Sequence, residues 1–282
     1  YVFVLYNMRT IAINQSHCLD TTQNNTYVYP FPQSITFKDN AKIAVSSVAL
    51  FYSTYNISTL LGNNKYTYTW TEGATSTTHT ITIPDGIFNI SQINAHLQYT
   101  LIANSHYLRD QNGSNVYYVQ IVLNPSKYSV DLTTYEVPNA LPTGFSNPAS
   151  LNLPNSAFTP VVNLTTSISD ILGFTSGFQT STATTYSSSK SPQVNPNSNI
   201  LVAIDAIENP YANPSSIAYS FPINVGAGEQ LHSQPSELNF GNIRSGVYSQ
   251  LRVTFLDTTL KPIQIRDPQV SIILVIKDDS SH

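Results

Sequence analysis

The chain has 282 residues, with 12 Lys and Arg against 16 Asp and Glu, for a net charge of −4. Only 10% of its residues are charged, against about 25% in an average soluble domain. The basic residues are scattered and outnumbered, which speaks against nucleic-acid binding. The single Cys18 excludes an internal disulfide, and no apolar run reaches the roughly 20 residues of a membrane span.

Such a length suits one large β domain, or one domain carrying an insertion. Tyr, Asn, Ser and Thr stand where Lys and Glu would normally cover a surface. That exterior repels itself weakly, which suits a chain whose faces are covered by neighbours.

Residues 1–25 read as an N-terminal arm: 1–6 is strand-like, and 7–25 is polar without periodicity. The apolar start, Tyr1 to Leu5, is shorter than a secretory signal and lacks a basic leader, so no secretory signal is expected. In 27–37 the residues Tyr27, Tyr29, Phe31, Ile35 and Phe37 share one parity, and Pro30 and Pro32 share the other. Proline cannot donate to a sheet ladder, so this is an edge strand with its aromatic face inward. Residues 42–52 form the next strand, with Ile43, Val45, Ala49 and Phe51 on one side.

A hairpin opens at Asn63-Asn64, where Tyr66, Tyr68 and Trp70 alternate with threonines and the return strand turns Ile81 and Ile83 inward. Pro84-Asp85-Gly86 is a turn, and a helix follows over about 90–103. Asn89 and Gln92 make a capping box, Phe88 and Ile93 a hydrophobic staple, and Ile90, Ile93, Leu97 and Leu101 the buried stripe. A second hairpin spans 116–136, so 62–137 reads as hairpin, helix, hairpin.

Residues 139–160 form a long Pro/Asn/Ser loop, and 163–167 a short strand. Ile171-Leu172-Gly173-Phe174 closes a helical turn stopped by glycine, and 175–199 is the least structured part. Strands follow at 200–207, 217–223, 236–240, 247–256 and 270–276, the last apolar on both faces and so expected inside a sheet. Many short strands, one convincing helix and Pro/Asn turns argue for an all-β chain, a β-sandwich or jelly roll.

No constellation of chemistry stands out. His17-Cys18 lacks further ligands nearby, and no two of the six histidines sit at a metal-binding spacing. Asp257 and Asp267 flank a turn and read as turn caps. Gly226-Ala227-Gly228 has neither the following helix nor the Lys-Ser/Thr of a phosphate cradle, and Ser245 sits in a turn. The acceptor patterns at Asn56 and Asn163 are what chance yields in a chain this rich in Asn, Ser and Thr. The tyrosines and Trp70 fit a sugar site less well than a core. The expectation is therefore no enzyme, with no catalytic, cofactor-binding or metal residue and no cofactor.

Taken in order, these signals resemble a family. The aromatic strand 27–37, the Ile83-Pro84-Asp85-Gly86 turn before the capped helix, the Ile171-Leu172-Gly173-Phe174 box, and Asp257 followed by Lys261-Pro262-Ile263 are similar to penton, or minor capsid, proteins of virophages, Maverick/Polinton elements and large DNA viruses. The likeness runs from about Tyr27 onward, and its force lies in the order of short pieces. It implies a jelly roll of two packed sheets with an inserted domain, five copies closing an icosahedral vertex in the virion. The implied partners are other copies of the chain, major capsid protein capsomers and other minor capsid proteins. On that resemblance the fold is a jelly-roll β-sandwich with an inserted hairpin–helix–hairpin region, divided into 1–25 as arm, 26–61 with 161–282 as jelly roll, and 62–160 as insertion with its loop. The residues agree, since the edge strand 27–37 and the doubly buried final strand can lie side by side in one sheet. The competing readings are a minor cement protein and a receptor- or carbohydrate-binding β-sandwich such as a fibre head.

Overall fold

Strands form where the period-two alternation is longest, and the chain sorts them into two units. The computed structural model describes residues 7–148, 151–194 and 198–278. One unit combines residues 1–54 with 197–282, and the other is the continuous stretch 55–196.

The first unit begins with β1 (Asn7–Ile13), a 3-10 turn (Gln15–His17), β2 (Thr26–Phe37) and β3 (Lys42–Phe51). The second contains β4 (Lys65–Glu72), β5 (Thr75–Thr82), α1 (Ile90–Ala103), β6 (Leu108–Arg109), β7 (Asn115–Val116), β8 (Val119–Asn124), β9 (Ser129–Thr134), β10 (Val161–Leu164), α2 (Thr166–Leu172) and β11 (Thr185–Ser187). The first unit then resumes with β12 (Asn199–Ile204), β13 (Ile207–Glu208), β14 (Ile217–Pro222), β15 (Gln230–Ser233), β16 (Gly241–Ile243), β17 (Gly246–Leu256) and β18 (Ser271–Asp278).

The first unit is a jelly roll. One sheet has the order β1-β18-β3-β16-β13, with β15 also on β3; the other is β14-β12-β17-β2. Successive strands switch sheets: β1 lies in one, β2 in the other, β3 back in the first, β17 and β18 again in opposite sheets. That alternation is what wraps an antiparallel chain into two facing layers. A single core joins them, with Ile13, Val45, Ile272 and Leu274 from one sheet and Tyr27, Val202, Leu251 and Phe255 from the other. The Tyr27 and Phe255 rings meet edge to face at 5.9 Å.

Several expectations hold. β2 is an edge strand with Pro30 and Pro32 exposed and Tyr27 and Phe37 buried. β18 lies between β1 and β3, with Ile272, Leu274 and Ile276 buried and Ile273 and Val275 half-buried. In the second unit, α1 carries both halves of its capping box, at 2.9 Å each, and buries Ile90, Ile93, Leu97 and Leu101. Gly173 ends α2 at φ +80°, and a Cβ there would stand 2.1 Å from the Lys190 carbonyl, so only glycine fits.

Others are corrected. Within the expected arm 1–25, residues 7–13 are a jelly-roll strand: β1 pairs with β18 along its length and buries Ile11 and Ile13. Two inward apolar residues are too few to register as local alternation. Residues 1–6 lie outside those described. β2 lies beside β17 and not beside the final strand, because β18 already has β1 and β3 on its two edges. The separable insertion is 55–196, wider than 62–160, since β10 pairs with β4 and the residues of α2 pack into the same core as Trp70. Residues 236–240 form no strand, and the expected loop 175–199 contains β11, paired to β9.

The second unit is built on two three-stranded sheets, β10-β4-β5 and β11-β9-β8, and the small β6-β7 pair. α1 packs on β8, where Asn94 Oδ1 accepts from the Ile121 amide at 2.8 Å.

Candidate functional site

The groups weighed as conceivable chemistry each make local hydrogen bonds. Asp257 accepts from the Thr259 and Lys261 amides at 2.7 and 2.9 Å, an Asx-type turn cap. Asp267 is buried, and its two oxygens take the Phe51 and Gln269 amides at 2.6 and 2.8 Å. Cys18 Sγ donates to Asn24 Oδ1 at 3.1 Å, and His17 Nδ1 stays with Asn14. The amide of Gly226 is closed off by Glu229 Oε2 at 2.7 Å, which puts an acid where a phosphate cradle would need a vacancy. Asn56 is buried, with its amide nitrogen donating to the Phe88 and Val194 carbonyls at 2.7 and 2.5 Å, so in the fold it is no glycan acceptor. Among the described residues, no group of three His, Cys, Asp or Glu side chains is placed to hold a metal ion, and no helix is long and apolar enough to cross a membrane.

Polar side chains converge in the second unit, at the turn end of the β4–β5 hairpin. Trp70 is buried within the β10-β4-β5 sheet, and its ring stacks on His106 at 4.5 Å and 9°. His106 follows α1 in a loop and is itself 3% exposed. Asn104 Nδ2 donates to the Tyr68 hydroxyl at 3.0 Å, which leaves that hydroxyl to donate to His106 Nδ1 at 2.8 Å. The network thus assigns the imidazole proton to Nε2, which faces Glu72 Oε1 at 3.6 Å. Burial first, and then the neighbouring His79, push the His106 pKa down to about 3, so the ring is neutral at ordinary pH.

Trp70, Glu72, Asn104 and His106 border a cavity of about 380 Å³, completed by Thr75, Thr77, His79 and Asn152. Asn152 comes from the long loop, which the hairpin turn anchors: the Gly73 amide donates to the Leu153 carbonyl at 3.2 Å, and the Asn155 amide to the Gly73 carbonyl at 2.8 Å. Gly73 sits at φ +55°, and a Cβ there would lie 3.1 Å from Asn152 Nδ2. Trp70 was legible as core from its parity. The remainder of this cluster was not, because Glu72, His106 and Asn152 come from three segments with no common spacing.

Large apolar side chains also remain at the surface. In the first unit these include Met8, Leu19, Tyr211 and Val247, with Tyr211 97% exposed; in the second they include Leu60, Tyr99 and Tyr128.

No protein-family model and no curated protein matches the chain. Among solved structures, the crystal structure of the selenomethionine-labelled mavirus penton protein is similar, with a TM-score of 0.45 and 10% identity over 97% of this chain and 98% of that one.

Proposed function

We propose that this chain is a structural capsid protein that closes the fivefold vertices of an icosahedral double-stranded DNA virus or virophage. The observation that carries the reading is the strand order: two facing sheets, β1-β18-β3-β16-β13 and β14-β12-β17-β2, interrupted between β3 and β12 by a folded insertion. A jelly roll by itself hosts many functions. The choice among them is supported by the resemblance of the ordered sequence signals to pentons and by the low charge content. The exposed Tyr211, Val247 and Met8 support it further, as anchors for a neighbour's surface.

The action is geometric. A fivefold ring needs heterologous contacts, so two different faces of one subunit must fit each other. Few charges mean little like-charge repulsion between copies, and apolar and tyrosine area supplies adhesion. Major capsid protein capsomers surround the ring, and no bond-making step is part of the role. Native mass spectrometry of the purified chain, together with its position in a reconstructed particle, tests this. Five-copy rings on the fivefold axis are expected. A chain that stays monomeric and lies off that axis overturns the vertex role in favour of a cement role.

A further inference from the structure

We propose that the free edge of β5 pairs with the same edge of a second copy of this chain, antiparallel about a two-fold axis. The β10-β4-β5 sheet of the insertion then continues across two subunits. The proposal stands on this edge alone and is independent of the vertex reading.

β4 and β5 pair without a register shift from Lys65↔Thr82 to Glu72↔Thr75. One step further along, the Ile83 amide donates to the Asn64 carbonyl at 2.8 Å. An antiparallel ladder alternates bonded and non-bonded pairs, so the odd-numbered residues of β5 bond to β4. Ser76, Thr78, Thr80 and Thr82 therefore turn their amides and carbonyls to the open side. Thr69 meets Thr78 and Thr71 meets Ser76, hydroxyl to hydroxyl, at 3.1 and 2.8 Å. Such close side chains mark non-bonded pairs and fix the same phase. The outward residues are all exposed, and among the described residues no strand lies beyond β5.

An open edge is a template for another strand, and proteins ordinarily guard it with proline, charge, a bulge, shortness or a cover. Among the described residues, the other open edges of more than four residues carry such guards. β2 has Pro30, Pro32 and a bulge, and β14 has a bulge and ends on Pro222. β1 carries Arg9, and on β8 the Asn94 side chain takes the Ile121 amide. β5 runs for eight residues with no proline, no Lys, Arg, Asp or Glu, and no bulge.

The outward groups select the partner. Ser76, Thr78, Thr80 and Thr82 are spaced evenly about His79. With the axis at His79, Ser76 of one copy faces Thr82 of the other and Thr78 faces Thr80, so every outward amide meets a carbonyl. Serine and threonine then oppose each other on the exposed face, a favourable cross-strand pairing. The charges on β4, Lys65 and Glu72, stand at opposite ends of that strand. The axis therefore keeps lysine away from lysine and glutamate away from glutamate. His79 keeps its ring against Tyr68 and His106 of its own subunit.

One strand pair is small beside the roughly 1,200–2,000 Å² of stable complexes, so the association is weak and is read at high concentration. Sedimentation of the full chain is followed from about 10 μM to about 1 mM, a range that covers weak affinities. A reversible doubling is expected: monomer to dimer, or one ring to two where the chain forms rings. Hydrogen exchange resolved to single amides should show Ser76, Thr78, Thr80 and Thr82 gaining protection with concentration. Thr77 and His79, already bonded to β4, should not change. Thr78→Lys combined with Thr80→Lys opposes lysines across the axis and should weaken the doubling about tenfold or more. Both side chains are exposed, and Trp70 emission checks that the insertion stays folded. Thr78→Pro removes an outward amide that β4 does not use, and should act in the same direction.

No doubling with concentration, doubling while the outward β5 amides exchange freely, or doubling unchanged by the paired lysines overturns the proposal. Protection of β5 together with a different edge, such as β1, identifies a head-to-tail contact and overturns it too. Failure of the vertex reading shows separately, as the absence of five-copy rings.

Discussion

The two units solve the same folding problem by different means. The jelly-roll unit draws on both ends of the chain, and its core is mainly aliphatic, packed between long strands such as β2, β3, β17 and β18. The inserted unit is one continuous stretch of shorter strands and two helices, around a core that is also mainly aliphatic and includes Trp70, Tyr66, Tyr68 and Tyr118. Most of the buried polar side chains among the described residues belong to the insertion, including Asn56, Asn63, Asn64, His106, Thr180 and Ser188.

The reason is backbone accounting. A long strand pairs its own amides and carbonyls with neighbouring strands, and only apolar side chains need face the core. Short strands leave buried amides, in strands and in loops, without a ladder partner, and each needs a side chain. Thr180 Oγ1 takes the Val162 amide at 2.8 Å, Ser188 Oγ the Val130 amide at 2.9 Å, and Asn63 Oδ1 the Ser58 amide at 2.9 Å. The richness in Asn, Ser and Thr, which composition alone assigns to the exterior, is in this unit partly interior scaffolding.

Because the only tryptophan lies in the insertion, each unit can be disturbed and watched separately. The largest effect is expected from deleting residues 1–13. Removing β1 strips one edge of β18 and uncovers Ile272 and Leu274. Hydrogen exchange should show loss of protection throughout 26–51 and 199–278 while Trp70 emission stays native. An arm lying outside the fold would leave the jelly roll protected.

Next comes Phe255→Ala, which empties a fully buried aromatic site and should cost about 3–5 kcal/mol, confined to the first unit. Its counterpart in the insertion is Asn56→Ala. Here the loss is of hydrogen bonds to the Phe88 and Val194 carbonyls and from the Phe88 amide, and about 1–3 kcal/mol is expected. Denaturant titrations read by Trp70 emission should move for the second variant and not the first.

Acid should also weaken the insertion. His106 is neutral in the fold with a pKa of about 3, whereas the unfolded chain binds that proton near 6.5. Between these values the unfolded state holds more protons, so stability is full above about 6.5 and falls as pH drops towards 3. At pH 5 the loss from His106 in the insertion should be about 2 kcal/mol, and His106→Gln should remove that part, leaving the contribution of His96, whose pKa burial also lowers.

The smallest effect concerns Tyr186. Slight burial acts to raise its pKa, but hydrogen bonds from the Ser181 and Thr182 hydroxyls and amides outweigh this and bring it down to about 8. One of the 18 tyrosines should therefore ionise early in an ultraviolet titration, and Tyr186→Phe should remove that step. Folded Tyr186 gives up its proton first, so its contribution to stability grows as pH rises from about 8 to about 10.

What could be read before folding was whatever repeats over neighbouring residues. The alternation of 247–256 and 270–276, the Asn89–Gln92 capping box and the glycine stop at Gly173 are local, and each appears where its spacing placed it. Even the Trp70 side chain was assignable to a core by parity.

Pairing was not readable. A strand's alternation says which face is inward and nothing about which strand lies beside it, so β1 passed for an arm and the insertion's edges were drawn too narrow. The polar cavity is the extreme case. Glu72 stands on a strand, His106 follows a helix, and Asn152 rides on a loop held by Gly73. Only chain closure over tens of residues brings them together, and no short-range pattern encodes that distance.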